Sequence, residues 1–411
     1  MDNFRLPPIA RFSAIYGPGL LVMLADTDAG NVITAAQGAA LWGHRTIALW
    51  LMLIVPLYLV QELAVRLGLY TGRGYVDLVQ HHFGQGWAKL LVATLAIAAI
   101  STLVTEFSAI AGIGELYGLP RAATLPLFAA LLLGVVSART YRTVEQIAIV
   151  FGLFELAFLA VAWSSWSHPA ALPGHASLTQ LRDHRFLYTV AAIIGATFNP
   201  WMIFYQQSAV VKKGLTATHY RAACCDTALG AVLAQVLCAA IVVSVASVFG
   251  VFHQRALDSI GAISLALDAM LGQHIGRAVF SIGIVGSATV AAIVVSLTMS
   301  WSVRELVGTS NRRTGAASGN RAVHIAYAAG VITSMALVWG CRDLVWLSIA
   351  AQVANVFLLP LVLCFLVMLA GKALPAEHRL RGAYRIGVVA MSVAICACGW
   401  VGGLQPLWSA A

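Results

Sequence analysis

Long apolar runs dominate this chain, and short polar stretches cut them apart. About 20 apolar residues is the length an α-helix needs to cross a bilayer. By that measure the chain holds eleven segments, near 17–41, 45–68, 87–115, 122–138, 144–165, 187–211, 221–250, 276–303, 322–340, 344–371 and 382–404. The pattern predicts an all-α polytopic membrane protein with short connections. The two longest polar breaks are "SHPAALPGHASLTQLRDHR" before the sixth segment and "GTSNRRTGAASGN" after the eighth. Both read as surface loops.

Two segments are interrupted. The first, "GPGLLVMLADTDAGNVITAAQGAALWG", holds Asp26, Asp28, Gly30 and Asn31 in its middle. The sixth is broken by Gly195, Asn199 and Pro200 within "IGATFNPWMIFYQQSAVV". Segments 1–5 and 6–10 begin on opposite sides of the membrane, so they would be related by inverted topology. The expected division is 1–165 for the first repeat, 166–371 for the second, and 372–411 for an eleventh helix and the C-terminus. Broken segments at matching positions of inverted halves point to a transporter's midplane site. Irregular backbone at that depth is tolerated where it lines a cavity.

Composition agrees with a membrane class. Only 10% of the 411 residues are charged and 60% are hydrophobic, against roughly 25% charged in soluble proteins. A soluble domain of any size is excluded. The opening "MDNFRLPPIARFSAIYGPG" has neither the compact apolar core nor the cleavage site of a signal peptide. The net charge of +9 suggests nucleic acid until the charges are placed. With the N-terminus inside, 18 of the 25 Lys and Arg fall in inner loops and tails. That asymmetry is an orientation signal. It predicts a multi-pass protein of the cell membrane, N-terminus cytoplasmic and C-terminus external, with the lipid bilayer and no nucleic acid as partner. The seven cysteines form no metal or disulfide framework. Cys364, Cys396 and Cys398 read as small hydrophobes in apolar spans.

A charge near the bilayer centre costs at least about 2.5–3.5 kcal/mol, so Asp28 needs an offset. Asp28 offers anionic oxygens and Asn31 an amide oxygen, and unwinding at Gly30 would let both face one centre. Hard oxygen ligands suit Mg²⁺, Ca²⁺ and Mn²⁺. The plainer reading is a hydrogen bond between helices or a local cap. At the second break, Pro200 cannot donate a backbone hydrogen bond and frees the carbonyl of Ala196. Asn199 adds an amide oxygen there, although Asn before Pro is also an ordinary turn signal. Glu62 and Glu155 read as pairs for arginines or as vestibule residues.

These residues carry a resemblance. "GPGLLVMLADTDAGN" resembles the first helix of the Nramp divalent-metal transporters, whose motif is Asp-Pro-Gly-Asn after Gly-Pro-Gly. "YLVQELAVRLGLYTGRG" and "TEFSAIAGIGELYGLP" are similar to that family's second and third helices, and "IGATFNPW" falls where the family has Gly-Ala-x-x-Met-Pro-His. "QVANVFLLP" keeps the spacing of Gln352 to Pro360 on the tenth helix. The resemblance covers most of the chain. It implies the LeuT-type fold, with eleven transmembrane helices, two inverted five-helix repeats and metal bound between broken helices 1 and 6. It further implies Asp28 and Asn31 as side-chain ligands, Ala25 and Ala196 as carbonyl ligands, and Gln352 as a ligand in one conformation. Asn199 joins this set. Glu106 and Trp201 would lie beside the ion's path, and Asp26, where the family usually has no acid, is placed there without a transferred role.

The departures set the expected cargo. The family's methionine is Asn199 here, its helix-6 histidine is Trp201, an acid on helix 3 is Leu103, and the Pro of Asp-Pro-Gly-Asn is Ala29. Together with "FYQQSAVVKKG", these resemble the Nramp-related magnesium transporter branch, which lacks the soft ligand and has weak or absent proton coupling. The chain is therefore expected to be no enzyme and to hold no cofactor. It is expected to carry Mg²⁺, and also Mn²⁺, as a secondary transporter. The alternatives are a proton-coupled Mn²⁺ or Fe²⁺ transporter of the family's main branch and a sodium-coupled amino-acid carrier, whose substrate carboxylate Asp28 would repel. An intramembrane hydrolase using Asp26 and Asp28 lacks the geometry, and no HExxH or GxSxG supports other chemistry. Nothing resembles a signalling domain. Cysteines introduced by Ser310→Cys and Gly174→Cys are expected to label from opposite sides, the first from the inside. Labelling of both from one side would overturn the topology.

Overall fold

A computed structural model describes residues 17–137, 183–249, 259–264, 273–310 and 317–408, with single positions at 156, 159, 162, 163 and 257. Every regular element among the described residues is helical. The fifth predicted segment lies almost wholly outside them, as do Glu155 and Gly174. The other ten segments fall on helices, each within a few residues of its expected limits.

The first segment is two helices, α1 (Pro18–Asp26) and α2 (Ala29–Trp42). The second is α3 (Ile47–Met52) and α4 (Ile54–Thr71), followed by a short α5 (Tyr75–Phe83), then α6 (Gln85–Leu116) and α7 (Arg121–Ser137). The sixth is again two helices, α8 (His184–Thr197) and α9 (Pro200–Lys212). There follow α10 (Tyr220–Phe249), α11 (Gln273–Ser310), α12 (Ala317–Gly340), α13 (Leu344–Lys372) and α14 (Gly382–Trp408). Seven helical stretches of the described residues are long and apolar enough to cross a bilayer, and 121–134 and 325–340 are shorter apolar helices.

The hydrophobic pattern missed α5. Its Tyr75, Val76, Leu78 and Val79 are buried, an i, i+3, i+4 stripe too short to span a membrane. Glu305 on α11 meets its first turn, accepting from the Val76 N–H at 3.2 Å.

Both breaks have local causes. The Thr27 N–H and Oγ1 each reach the Met23 carbonyl at 3.1 Å, closing the last turn of α1. Asp28 is extended, and its Oδ1 accepts from the Asn31 N–H at 2.8 Å, a cap that restarts the helix. The break therefore lies at Thr27–Asp28. Gly30 sits inside α2, which corrects the expectation that the chain unwinds there. In the second break Phe198 closes α8 on the Ile194 carbonyl at 2.9 Å. Pro200 then opens α9 at its first position, where a missing N–H costs nothing.

Two apolar clusters fill the bundle, and the breaks lie between them. One gathers Leu21–Ala25, Ala88–Ala99 of α6, Trp201–Tyr205, and α13 from Val356 onward. The other gathers Ala29–Ala40, Leu103–Ile113 of α6, Leu237–Ala246, and α13 up to Ala351. Along each of these helices the cluster changes at a polar layer, marked by Asp26–Asn31, Thr102–Glu106, Thr197–Asn199 and Gln352–Asn355.

A buried carboxylate on α10 anchors the start of α1. Asp226 Oδ2 accepts from the N–H groups of Gly19 at 2.7 Å and Gly17 at 3.2 Å, donors a helix start otherwise leaves orphaned. Asp226→Ala should strand them, at about 1–3 kcal/mol for a buried unsatisfied group. Thermal unfolding in detergent should show a clear loss. An unchanged midpoint would mean that α1 is not held this way.

Candidate metal centre

Five helices deliver polar side chains to one layer that is closed to solvent. Asp26, Asp28, Asn31, Glu106, Gln352 and Asn355 are each 0% exposed and Asn199 is 1% exposed. Such burial places unusual demands on every polar atom.

Asn199 is the hub. Its Oδ1 accepts from Asn355 Nδ2 at 2.6 Å and from Thr102 Oγ1 at 3.4 Å. Its Nδ2 donates to the Ala196 carbonyl at 3.1 Å and to Asp26 Oδ1 at 3.4 Å. Asn355 also donates to Gln352 Oε1 at 3.2 Å. One amide thus ties the second break to α1, α6 and α13. The Asn31 amide donates across the first break to the Asp26 carbonyl.

Four carboxylate and amide oxygens of the layer then have no hydrogen-bond partner, Asp26 Oδ2, Asp28 Oδ2, Asn31 Oδ1 and Asn355 Oδ1, and neither do Thr197 Oγ1 and the Gln352 amide nitrogen. Asp26 stands two residues before Asp28, and Glu106 accepts from the N–H of the residue after it. Among the described residues, the ion pairs Glu62–Arg66, Asp77–Arg73 and Glu115–Arg121 lie elsewhere. Among the described residues no three His, Cys, Asp or Glu side chains converge on one point. The layer instead gathers mixed oxygen: carboxylate, amide and carbonyl. That donor set suits a hard cation.

The predicted residues occupy this layer. Asp28 and Asn31 stand at the first break; Ala25 is on the last turn of α1, and Ala196 on the last turn of α8. Gln352 reaches the layer from α13, and two glycines make room for it. A Cβ on Gly30 would lie 1.8 Å from Gln352 Nε2, and one on Gly195 would lie 1.9 Å from the Gln352 carbonyl oxygen. Glu106 accepts from the Ala29 N–H at 3.4 Å, a donor that proline in this position would remove. Trp201 does not point an acceptor at the layer. Its Nε1 donates to Thr102 Oγ1 at 3.1 Å, while Leu103 packs in the apolar cluster around α2. Glu62 sits apart, paired with Arg66 at 2.8 Å and bonded to Tyr220.

Sequence reasoning passed over Asn355 and Thr102. Asn355 follows Gln352 by one helical turn, so the two share a face; that spacing was the available signal. For Thr102, a threonine in an apolar run, there was none.

Two broken helices meeting at a closed polar layer define the LeuT-type class of membrane fold. The chain aligns over 96% of its length with the structure of Mhp1, a nucleobase-cation-symport-1 family transporter, in a closed conformation (TM-score 0.59, 12% identity, 91% of that chain). It aligns over 97% with a manganese transporter mutant of Eremococcus coleocola (TM-score 0.75, 15% identity, 87% of that chain). The family model for natural resistance-associated macrophage protein-like (Nramp) sequences matches residues 19–404, and the chain belongs to that family. It is accordingly a multi-pass membrane protein. It is 30% identical over 207 residues to the divalent metal cation transporter MntH of Staphylococcus haemolyticus, covering 49% of this chain and 46% of the relative. It is 27% identical over 289 residues to MntH of Brucella suis, covering 67% and 63%. The chain thus spans about half to two thirds of the curated relatives it matches.

The helix contact at Gln352 is testable without any ligand. Gly195→Ala drives a Cβ into the α13 backbone and should cost about 1–3 kcal/mol, as overpacking does. Gly308→Ala, with nothing within 4 Å of its Cβ, is the control and should be neutral or mildly stabilising. Equal melting behaviour of the two variants would show that α8 and α13 are not so close.

Proposed function

We propose that this chain is a secondary transporter of divalent metal cations, carrying Mg²⁺ and also Mn²⁺ by alternating access, with weak or absent proton coupling. One observation carries the reading: four buried carboxylate and amide oxygens have no donor, two of them on carboxylates, and among the described residues the layer holds no Lys, Arg or His side chain. Acceptors stranded together are the pattern a bound cation completes. The names of the MntH relatives point the same way.

Asp28 is the principal ligand in this reading, with Asn31 beside it. The carbonyls of Ala25 and Ala196 and the amide of Gln352 complete the shell. Asn199 contributes an oxygen already shared with Asn355, so its contact with the ion requires that bond to be exchanged. The side chains available are oxygen donors, with no thioether to favour transition metals over Mg²⁺. Mg²⁺ sheds water reluctantly and is often held by one or two carboxylates with waters retained. Mn²⁺ should compete, since affinity at such sites rises along the transition series. In a proton relay Trp201 and Leu103 would be silent, leaving Glu106 alone.

The two halves, 1–165 and 166–371, would move against each other around this layer, with helix 11 and the C-terminus (372–411) following. The N-terminus lies inside and the C-terminus outside. A negative interior draws a divalent ion inward with about 4.6 kcal/mol per 100 mV, twice the single-charge value. Proton symport is then unnecessary for accumulation. The second reading, a proton-coupled Mn²⁺ transporter, draws on the buried Glu106, which takes the N–H of Ala29 beside Asp28 at 3.4 Å.

Proteoliposomes holding a pH dye, under a clamped potential, separate the two. Mg²⁺ and Mn²⁺ should enter without stoichiometric acidification, and Asp28→Ala should reduce entry nearly to background. Metal entry matched by acidification would establish the second reading. Full transport by the Asp28→Ala protein would remove the site assignment.

A further inference from the structure

Two carboxylates flank the first break, and the fold accounts for only one of them. Asp28 caps α2: its Oδ1 takes the Asn31 N–H at 2.8 Å, and the helix start favours a negative charge. Asp26 is the reverse case. It is the last residue of α1, where the helix dipole disfavours an anion, and it stands only two residues from Asp28. Its side chain is 0% exposed, and its only hydrogen bond is a long one, 3.4 Å from Asn199 Nδ2. Asparagine there would keep the shape and lose the charge. A carboxylate in this place needs a cation.

We propose that Asp26 is a second carboxylate ligand of the divalent cargo, aimed by Asn199 and acting beside Asp28. This rests on the transport reading above. Asn355 and Thr102 engage the Asn199 oxygen at 2.6 and 3.4 Å, which turns its Nδ2 towards Asp26 Oδ1. Asp26 Oδ2 is thereby left free. Asn355 Oδ1, also buried and without a donor, lies on the next residue of the same amide chain. The first break then presents Asp26 Oδ2, Asp28 Oδ2 and Asn31 Oδ1, and α13 adds Asn355 Oδ1. Asp26 and Asp28 together balance the charge of one dication, while Glu106, the third acid of the layer, takes the Ala29 N–H and the Thr105 hydroxyl. A monovalent ion would leave a buried net charge, which is costly. The class of ligand this selects is a hard dication. The neutral Asn199 does its work through Asp26.

The experiment uses the full-length protein in detergent, with Mn²⁺ and Mg²⁺ titrated calorimetrically and melting followed with and without metal. Asp26→Asn should weaken Mn²⁺ binding at least about tenfold, the scale on which losing even a ligand's supporting partner is felt. It should also shrink the metal-induced rise in melting temperature, since that rise tracks occupancy. Without metal, Asp26→Asn should melt at or above the wild-type temperature, because a repelling buried charge is gone. Binding within threefold of wild type would show that Asp26 is no ligand, while the transport reading would stand. Lower metal-free stability of Asp26→Asn would also overturn the inference, since Asp26 would then be a structural acceptor for Asn199. Failure of the wild-type protein to bind either ion would remove both readings together.

Discussion

Carboxylate oxygens held without donors in an apolar bundle are the constraint on which this structure depends. Burying a charge without a partner is prohibitively costly, and here Asp26, Asp28 and Glu106 share one layer at 0% exposure. Protein atoms offset part of that cost. The Asn31 N–H, the Ala29 N–H and the Asn199 amide each take one carboxylate oxygen. The remainder is left for something that enters. The two apolar clusters on either side of the layer exclude water from it and hold the helices that carry it.

The breaks turn helix ends into chemistry. Capping by Asp28 and the closing bond of Thr27 let the chain cross the layer as two short helices. At the second break, Pro200 starts α9 without needing a donor and leaves the Ala196 carbonyl to Asn199. Gly30 and Gly195 belong to different broken segments, yet each clears space for the same residue, Gln352. α13 is thereby pressed against both breaks, and any shift of it would change the layer's oxygen set. Asp226, at the far end of α1, fixes the other limit of that short helix.

Asn199 and Trp201, which stand where the family resemblance expects methionine and histidine, are joined through Thr102. Trp201, Thr102, Asn199, Asn355 and Asp26 make one hydrogen-bonded path from α6 through the second break to α1 and α13. Asn199 supplies both a donor and an acceptor to that path, which a methionine cannot do. Ala29 in place of proline frees a backbone donor for Glu106. A hard, amide-rich layer is the common result.

The sequence by itself determined the membrane class, ten of the helical segments and which two of them are broken. Each of these is a one-dimensional property: apolar length, or a polar or Pro/Gly interruption within it. It also named the residues of the layer that interrupt apolar runs, Asp28 and Asn199 among them. Tertiary structure decided the rest. Gly30 reads as an unwinding point along the chain, but in space it is a contact surface for Gln352. Trp201 reads as a missing proton carrier, and the fold gives it Thr102 to hold. Thr102 carries no local signal and Asn355 only its spacing from Gln352, because what matters about them is the residue opposite, about 100 to 160 positions away in the chain. The orientation of one amide, Asn199, depends on three helices at once. No spacing along a single helix encodes that.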